Sequence, residues 1–257
     1  TSARDLPPRQ RTLFNAIAWS YSLLTSQEQA VFRRLGVFTG SFDTPAVAAV
    51  CSGLVENDEA LAAMLERLVD QNLVSPDSRG PSRRRLLEMM REFALAQMDE
   101  GENRTARQNH LRHFAERRTD WYAEWLDPAY LDAVEDDLDN YRAALHYALE
   151  IGDASLAHLL GASMGRFWER RGLLNEGRAM LSRIMALPGM VDPKARFAVI
   201  HEATILAWMQ HDFEMAETLA AQAMKWARAE DLPEAVIIGF NMLGRIYLEQ
   251  ARYEEAE

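Results

Sequence analysis

The sequence predicts a mainly α-helical chain, in which a helical module with a small two-stranded β element precedes a stack of helical hairpins. Apolar residues recur at helical spacing along almost all of the 257 residues. Over residues 72–87 this pattern gives way to two short extended runs around a turn rich in Pro and Gly. From residue 164 onward, a similar segment recurs at steps of 39 and 40 residues. The β element therefore belongs to the first hundred residues and the hairpins to the last hundred.

Four helical segments are predicted before the extended runs. The first covers residues 10–24 and places apolar side chains on one face, namely Leu13, Ile17, Tyr21 and Leu24. The second begins at Ser26, where residues 26–29 have the form of a capping box with Gln29 as its last member, and it ends near residue 35. Pro45 opens a short third helix, capped by Asp43 or Thr44. A fourth, over residues 58–71, turns three leucines inward: Leu61, Leu65 and Leu68.

Two extended runs follow these helices. Residues 72–75 form the first, residues 76–81 have strong turn chemistry, and residues 83–87 form a return strand. Helix then resumes over residues 88–98. Helices followed by a two-stranded wing are the element order of a winged helix. We therefore predict a winged-helix-like domain over residues 1–98.

A helical connector is predicted over residues 99–152. Residues 99–103 break the helical pattern, and a long helix then runs over 104–126 with Leu111, Phe114 and Trp121 on its apolar stripe. Pro128 breaks that helix, and one further helix continues to residue 150. Gly152 is well placed to end it, because glycine readily adopts the left-handed conformation of a helix C-terminus.

The internal repeat is carried by three segments that begin at residues 164, 203 and 243. Three sets of positions are equivalent in these segments. Small or turn-compatible residues recur at Gly165, Thr204 and Gly244, and hairpin turns are predicted at Gly172, His211 and Ala251. Small residues recur in the second helix at Gly177, Ala216 and Ala256. Because one helical hairpin cannot bury its own apolar face, repeats of this length stack side by side. Residues 153–257 are therefore predicted to form a superhelix similar to tetratricopeptide (TPR) repeats.

Charge argues against nucleic acid as a direct partner. The net charge is −11, and residues 1–96 hold 11 arginines against 11 acidic residues, so the acidic excess lies in residues 97–257. The fourth helix, where a DNA reader would lie, carries Arg67 against four acidic residues: Asp58, Glu59, Glu66 and Asp70. Three arginines lie beside the predicted wing: Arg83, Arg84 and Arg85. Three interpretations are left open for them, namely contact with a DNA phosphate, exposure to solvent, or contact with an acidic partner.

The sequence offers no catalytic or metal-binding constellation. His110 and His113 are three residues apart but lack a third ligand at useful spacing. No nucleophile and base pair is apparent around the histidines or the single cysteine, Cys51. Four neighbouring carboxylates are expected on a solvated helix face: Glu135, Asp136, Asp137 and Asp139. We therefore expect no enzyme activity and no metal. Without a signal peptide or membrane span, the expected location is cytoplasmic.

Two blocks of sequence resemble a known class of protein. The run RTLFNAIAWSYSLLTSQEQAVFRRLGVFTGSF, followed by LVDQNLV and RRLLEMMREFA, resembles the winged-helix segment of STAND-type bacterial transcriptional regulators. These are large ATPases with an NB-ARC-like or AAA-like nucleotide switch and C-terminal helical repeats. The stretch LDNYRAALHYALEIGD is similar to the connecting helices of that family, and the repeats look like its TPR arrays. The resemblance implies a middle segment of a longer regulator.

The same resemblance implies that ATP or ADP binds elsewhere in the parent protein. The family's P-loop would precede residue 1, and no G-x-x-x-x-G-K-[ST] motif is present in this sequence. The family's Met-His-Asp motif, whose histidine approaches the nucleotide, matches Leu86, Leu87 and Glu88. Because a leucine cannot donate a hydrogen bond to a phosphate, we expect no cofactor in this chain.

The predicted function is signal sensing through the groove of the repeats. Seven residues of the first helices of the hairpins are expected to face it: Arg166, Glu169, Arg170, His201, Trp208, Asn241 and Arg245. Convergent arginines beside a tryptophan suit an acidic peptide or a small anionic effector. Effector or partner binding would then pass through the winged helix to the nucleotide domain. The alternatives are a constitutive TPR scaffold and a DNA-binding winged helix.

Overall fold

The computed structural model describes residues 8–80, 82–117 and 128–256. Its helices and strands follow one another as α1 (Pro8–Ser22), α2 (Ser26–Leu35), α3 (Thr44–Val50), α4 (Asp58–Asp70), β1 (Ser75–Pro76), β2 (Arg84–Arg85), α5 (Glu88–Ala96), α6 (Glu100–Glu116), α7 (Pro128–Asp136), α8 (Leu138–Ile151), α9 (Ala154–Arg170), α10 (Leu174–Met185), α11 (Pro193–Met209), α12 (Phe213–Ala229), α13 (Pro233–Glu249) and α14 (Tyr253–Ala256). The predicted fold class, mainly α with a small β element and a helical repeat superhelix, is confirmed.

The chain forms two compact units. The first unit comprises the residues up to 114 together with residues 135–144, and the second comprises residues 115–134 and 145–257. Within the first, α2 packs against α3, α4 and α5, and α1 packs against α5. The inward direction predicted for the leucines of α4 is confirmed, since Leu61, Leu65 and Leu68 are all buried. The proposed division at residues 98 and 152 stays a prediction.

The capping box of α2 lies one residue earlier than predicted. Thr25, and not Ser26, is the N-cap: its hydroxyl accepts from the Glu28 backbone N–H, and the Glu28 carboxylate accepts from the Thr25 N–H at 2.7 Å. An ionised carboxylate is a stronger hydrogen-bond acceptor than the amide of Gln29, so the capping box forms with Glu28 as its last member. The side chain of Gln29 instead donates to the Tyr21 carbonyl at 3.0 Å.

The β element is shorter than predicted. Strands β1 and β2 pair antiparallel over two residues each, and Phe42 extends the pairing through a bridge to Arg84. Of the strand predicted over residues 72–75, only Ser75 pairs in β1, because the backbone N–H groups of Leu73 and Val74 both donate to the Leu68 carbonyl at the end of α4. The element order matches the prediction, and the winged-helix identity stays a prediction.

The connector differs from its prediction at two places. The break expected over residues 99–103 lies at residues 97–99 instead, because Asp99 caps α6 by accepting from the Glu102 N–H at 2.8 Å and residues 100–103 are helical. The single helix expected over residues 128–150 is divided at Asp137 into α7 and α8. The Asp137 carboxylate forms an ion pair with the buried Arg83. The Asp137 carbonyl accepts a hydrogen bond from the Tyr141 N–H in the first turn of α8. Trp121 and the side chain of Leu13 lie outside the described residues.

The hairpins have their turns where the repeat predicts them. Gly172, His211 and Ala251 all adopt left-handed backbone conformations, with φ of 69°, 60° and 57°. These residues separate α9 from α10, α11 from α12, and α13 from α14. Helix α11 packs against α9, α10 and α12, and α12 packs against α13, so neighbouring hairpins stack. In the part of the chain that the structure describes, no helix has the length and apolarity that crossing a membrane requires.

Candidate functional site

The seven groove residues predicted from the sequence lie on the first helix of each hairpin. Helix α9 carries Arg166, Glu169 and Arg170, helix α11 carries His201 and Trp208, and helix α13 carries Asn241 and Arg245. They do not share one environment. Arg170, Asn241 and Arg245 are exposed, and Trp208 is half-buried. The side chains of Arg166, Glu169 and His201 retain only 11%, 16% and 16% of their exposure, so these three pack largely between helices.

Four of the seven residues come together, and we call them the groove cluster: Arg166, His201, Trp208 and Arg245. Burial and the charges of Arg166 and Arg245 lower the pKa of His201 to about 4, so its ring is neutral near pH 7. The same ring stacks on Phe197 with its centroid 5.8 Å away. A neutral imidazole can therefore lie between two guanidinium groups without adding a third positive charge.

Arg245 and Trp208 form the accessible part of the groove cluster. The guanidinium carbon of Arg245 lies 4.6 Å from the centroid of the Trp208 ring, which is a cation–π arrangement. The Trp208 side chain packs against the apolar cluster built around Ile205, Met242 and Ile246, so the ring is held in place. Among the described residues, Arg245 has no carboxylate within ion-pair distance. Its N–H donors are therefore available to a bound anion.

Glu169 and the remaining predicted residues have other surroundings. Glu169 forms an ion pair with Arg166 one helical turn away, so that arginine already has a carboxylate partner. Arg170 and Asn241 are exposed and make no hydrogen bond or ion pair with the groove cluster among the described residues. The positive charge that a ligand would meet on this face comes from Arg245 and, toward the end of α9, from Arg170.

The candidates that the sequence analysis placed in the first unit are structural. Arg83 is buried and donates to Ser41 and to Asp137, and Arg84 forms an ion pair with Glu66. The expectation that Asp137 lies on a solvated face is wrong, because its side chain is 2% exposed and balances Arg83. Of the three wing arginines, only Arg85 is exposed.

Two further candidates, His110 and Cys51, are buried, whereas His113 is only partly buried. His110 lies between the rings of Phe38 and Phe114, and burial lowers its pKa to about 3. Burial raises the pKa of the Cys51 thiol to about 12, which leaves no thiolate near neutral pH. Over the ranges 8–80, 82–117 and 128–256, no three His, Cys, Asp or Glu side chains are grouped so that they could hold a metal ion.

One cavity with a partly charged lining was not predicted from the sequence. It lies among α9, α10, α11 and α12, has a volume of about 280 Å³, and is lined by His158, Arg196, Lys225 and Trp226 together with apolar side chains. The lining residues come from four helices and have no regular spacing. The one available signal was a pair of cations, Arg196 and Lys225, near the ends of helices predicted to pack together.

Relatives of this chain are known among bacterial regulators. No protein-family model matches it. Two proteins named "Putative HTH-type transcriptional regulator", from Mycobacterium bovis and Mycobacterium tuberculosis, are each 33% identical over 262 residues, covering 94% of this chain and 29% of the relative. An uncharacterized protein of M. tuberculosis is 33% identical over 95 residues, which are 35% of this chain and 24% of that protein.

The chain thus spans 29% of the length of the regulators it matches. Among solved structures, a STAND protein with a tetratricopeptide repeat sensor from Pyrococcus horikoshii aligns with 92% of this chain and 50% of its own, at 14% identity and a TM-score of 0.34. The resemblance of this sequence to proteins named as transcriptional regulators is confirmed by these relatives.

Proposed function

We propose that this chain is the non-catalytic sensing region of a bacterial STAND-type transcriptional regulator. Its hairpins would bind an anionic effector, or an acidic segment of a partner protein, at the groove cluster. The observation that carries the proposal is the Arg245 guanidinium held 4.6 Å from the Trp208 ring centroid with no carboxylate partner among the described residues. A guanidinium fixed over an indole presents its N–H donors to an anion, and the indole adds a flat apolar contact.

In this proposal, binding is relayed to a nucleotide domain outside the chain. The relay needs an effector that binds one state of the regulator more tightly than the other. Two observations support the separation of effector binding and nucleotide binding into different parts of the parent protein. The chain spans 29% of its relatives, and Leu87 stands where the family's nucleotide-sensing motif has a histidine. ATP or ADP binding would therefore belong to another part of the regulator.

Charge reversal in the full-length regulator tests this proposal. We expect Arg245→Glu to weaken the transcriptional response to effector by roughly tenfold or more, because it replaces the anion's partner with a like charge. Arg183→Glu is the matched control, since Arg183 is an exposed arginine on the second helix of the first hairpin and should leave the response unchanged. A normal response in Arg245→Glu would refute the role of the groove cluster.

Two alternatives make different predictions. A constitutive scaffold would bind its partner equally well with ADP or ATP on the intact regulator, whereas a switch would distinguish the two nucleotides. A DNA-binding winged helix would need the arginines beside the wing. Arg83 and Arg84 already form ion pairs with Asp137 and Glu66, which disfavours that alternative.

A further inference from the structure

The cavity among α9, α10, α11 and α12 lies on another side of α11 from the groove cluster. Arg196 and Ile200, one helical turn apart, line the cavity, whereas Phe197 and His201 belong to the cluster side. With about 280 Å³, the cavity is at the small end of the range for ligand sites and suits a small metabolite. Its lining combines charge, a hydrogen-bonding imidazole and apolar surface.

The inner wall of the cavity carries a buried acceptor. His158 is 1% exposed, and its Nδ1 lies 2.7 Å from the Ala154 carbonyl oxygen. Because a carbonyl only accepts, Nδ1 carries the proton and Nε2 keeps its lone pair. Burial and the nearby Arg196 hold the pKa of His158 below its usual range, so the ring is neutral at pH 7. Nε2 has no hydrogen-bond partner among the described residues.

Two cations flank this acceptor. Arg196 and Lys225 both line the cavity, and neither has a carboxylate within ion-pair distance in the described part of the chain. Arg196 is held in position, since its guanidinium carbon lies 4.6 Å from the centroid of the Trp226 ring. The Trp226 indole N–H donates to the Pro193 carbonyl at 3.4 Å, which orients the ring. Two cations without carboxylate partners beside a fixed aromatic ring favour an anion that carries an apolar body.

Of the remaining lining residues, Gln222 on α12 is polar and the other three are apolar. Met185 and Ile200 face the cavity from α10 and α11, and Ala229 closes it near the end of α12. A ligand that fills this space would exchange water contact for contact with these side chains and with Trp226. A fully hydrated inorganic anion would gain nothing from such walls. The lining therefore selects for a flat or compact organic anion.

We propose that this cavity is a binding site for a small aromatic carboxylate that also carries a hydrogen-bond donor. The carboxylate would lie between Arg196 and Lys225, the ring against Trp226, Met185 and Ile200, and the donor against Nε2 of His158. This site is separate from the groove cluster, so it would give the regulator a second ligand input within the same hairpins. It does not depend on the function proposed for that cluster.

Isothermal titration calorimetry of the chain with 4-hydroxybenzoate tests the site. This probe has the carboxylate, the ring and a donor, whereas benzoate lacks the donor, 4-hydroxybenzyl alcohol lacks the charge, and acetate lacks the ring. We expect 4-hydroxybenzoate to bind most tightly of the four. Arg196→Gln and Lys225→Ala should each weaken it roughly tenfold, the loss expected for one charge-assisted contact.

Two controls separate this site from general charge effects. Lys194→Ala removes an exposed lysine that does not line the cavity, and Arg245→Glu alters the groove cluster; both should keep the wild-type affinity. The comparison of 4-hydroxybenzoate with benzoate on the unaltered chain tests the His158 acceptor without a buried substitution. The proposal is overturned by the absence of saturable binding, by equal binding of acetate or of the alcohol, or by Lys225→Ala binding as tightly as Lys194→Ala.

Discussion

At the scale of single residues, two glycines at equivalent repeat positions have different surroundings. Gly165 lies against the side chain of Glu202, where an added Cβ would be 2.7 Å from the Glu202 Cβ and closer still to its Cγ. Gly244 is open, since the nearest atom to an added Cβ is the Ala256 carbonyl oxygen at 3.8 Å. The repeat pattern identified both positions as small, but only the first is small because of a close contact.

This difference predicts opposite effects of one substitution. Gly165→Ala should lower the free energy of unfolding by about 1–2 kcal/mol, because crowding at Glu202 outweighs the gain in helix propensity. Gly244→Ala should raise it by up to about 1 kcal/mol, because there the propensity gain stands alone. Urea denaturation of the two variants measures both values. Equal shifts in the two variants would contradict the assigned packing of α9 on α11.

A second residue-scale prediction concerns pH. The pKa of His110 is about 3 in the folded chain and about 6.5 when unfolded, so the unfolded chain binds the proton more readily. The stability that neutral His110 contributes is fully present above about pH 6.5 and falls as the pH drops toward 3. From pH 7 to pH 5 we expect a loss of about 2 kcal/mol from this group.

His110→Gln isolates this effect. The variant is expected to be less stable than the wild type at pH 7, because an amide replaces a ring packed between Phe38 and Phe114. Its stability should nevertheless fall less steeply between pH 7 and pH 5. Denaturation midpoints at both pH values in both proteins give the two slopes. Parallel slopes would show that His110 is not buried in its neutral form.

At the scale of secondary-structure elements, one buried ion pair joins the β element to the start of α8. Arg83 precedes β2, and Asp137 lies at the interruption between α7 and α8. Asp137→Ala should lower the free energy of unfolding by about 3 kcal/mol or more, because it leaves a buried guanidinium without its carboxylate. Asp139→Ala is the matched control. The Asp139 side chain is 61% exposed, so its loss should cost less than about 1 kcal/mol.

Chemical denaturation of both variants measures the two changes in the free energy of unfolding. A small effect of Asp137→Ala, similar to that of Asp139→Ala, would mean that Arg83 reaches solvent or another acceptor. In that case the wing arginines would again be available to an external partner, and the DNA-binding alternative would regain support.

The elements that sequence analysis predicted well depend on local interactions. The hairpin turns at Gly172, His211 and Ala251 follow from spacing and small residues within each repeat, and all three have positive φ. The interruption at Asp137 could not be predicted, because it depends on a partner 54 positions earlier in the chain. The capping box was misplaced by one residue because Thr25 and Ser26 both have the required hydroxyl.

At the scale of the whole molecule, periodicity identified which helices form the candidate site but not how accessible each residue is. The seven groove residues all lie on α9, α11 and α13, as the repeat requires. Arg166, Glu169 and His201 are nevertheless mostly buried, since the neighbouring helix covers them. The cavity lined by His158, Arg196 and Lys225 was missed because its lining joins side chains from four helices.

The central claim is that the hairpins sense an anion through Arg245 and Trp208. Thermal-shift screening of the chain against acidic peptides and organic anions tests it most directly, with Arg245→Glu and Arg183→Glu measured in parallel. A ligand that binds the folded chain selectively raises its melting temperature. We predict at least one such ligand, active on the wild type and on Arg183→Glu but not on Arg245→Glu. The claim would be contradicted if no ligand raised the melting temperature, or if every ligand that raised it acted equally on Arg245→Glu.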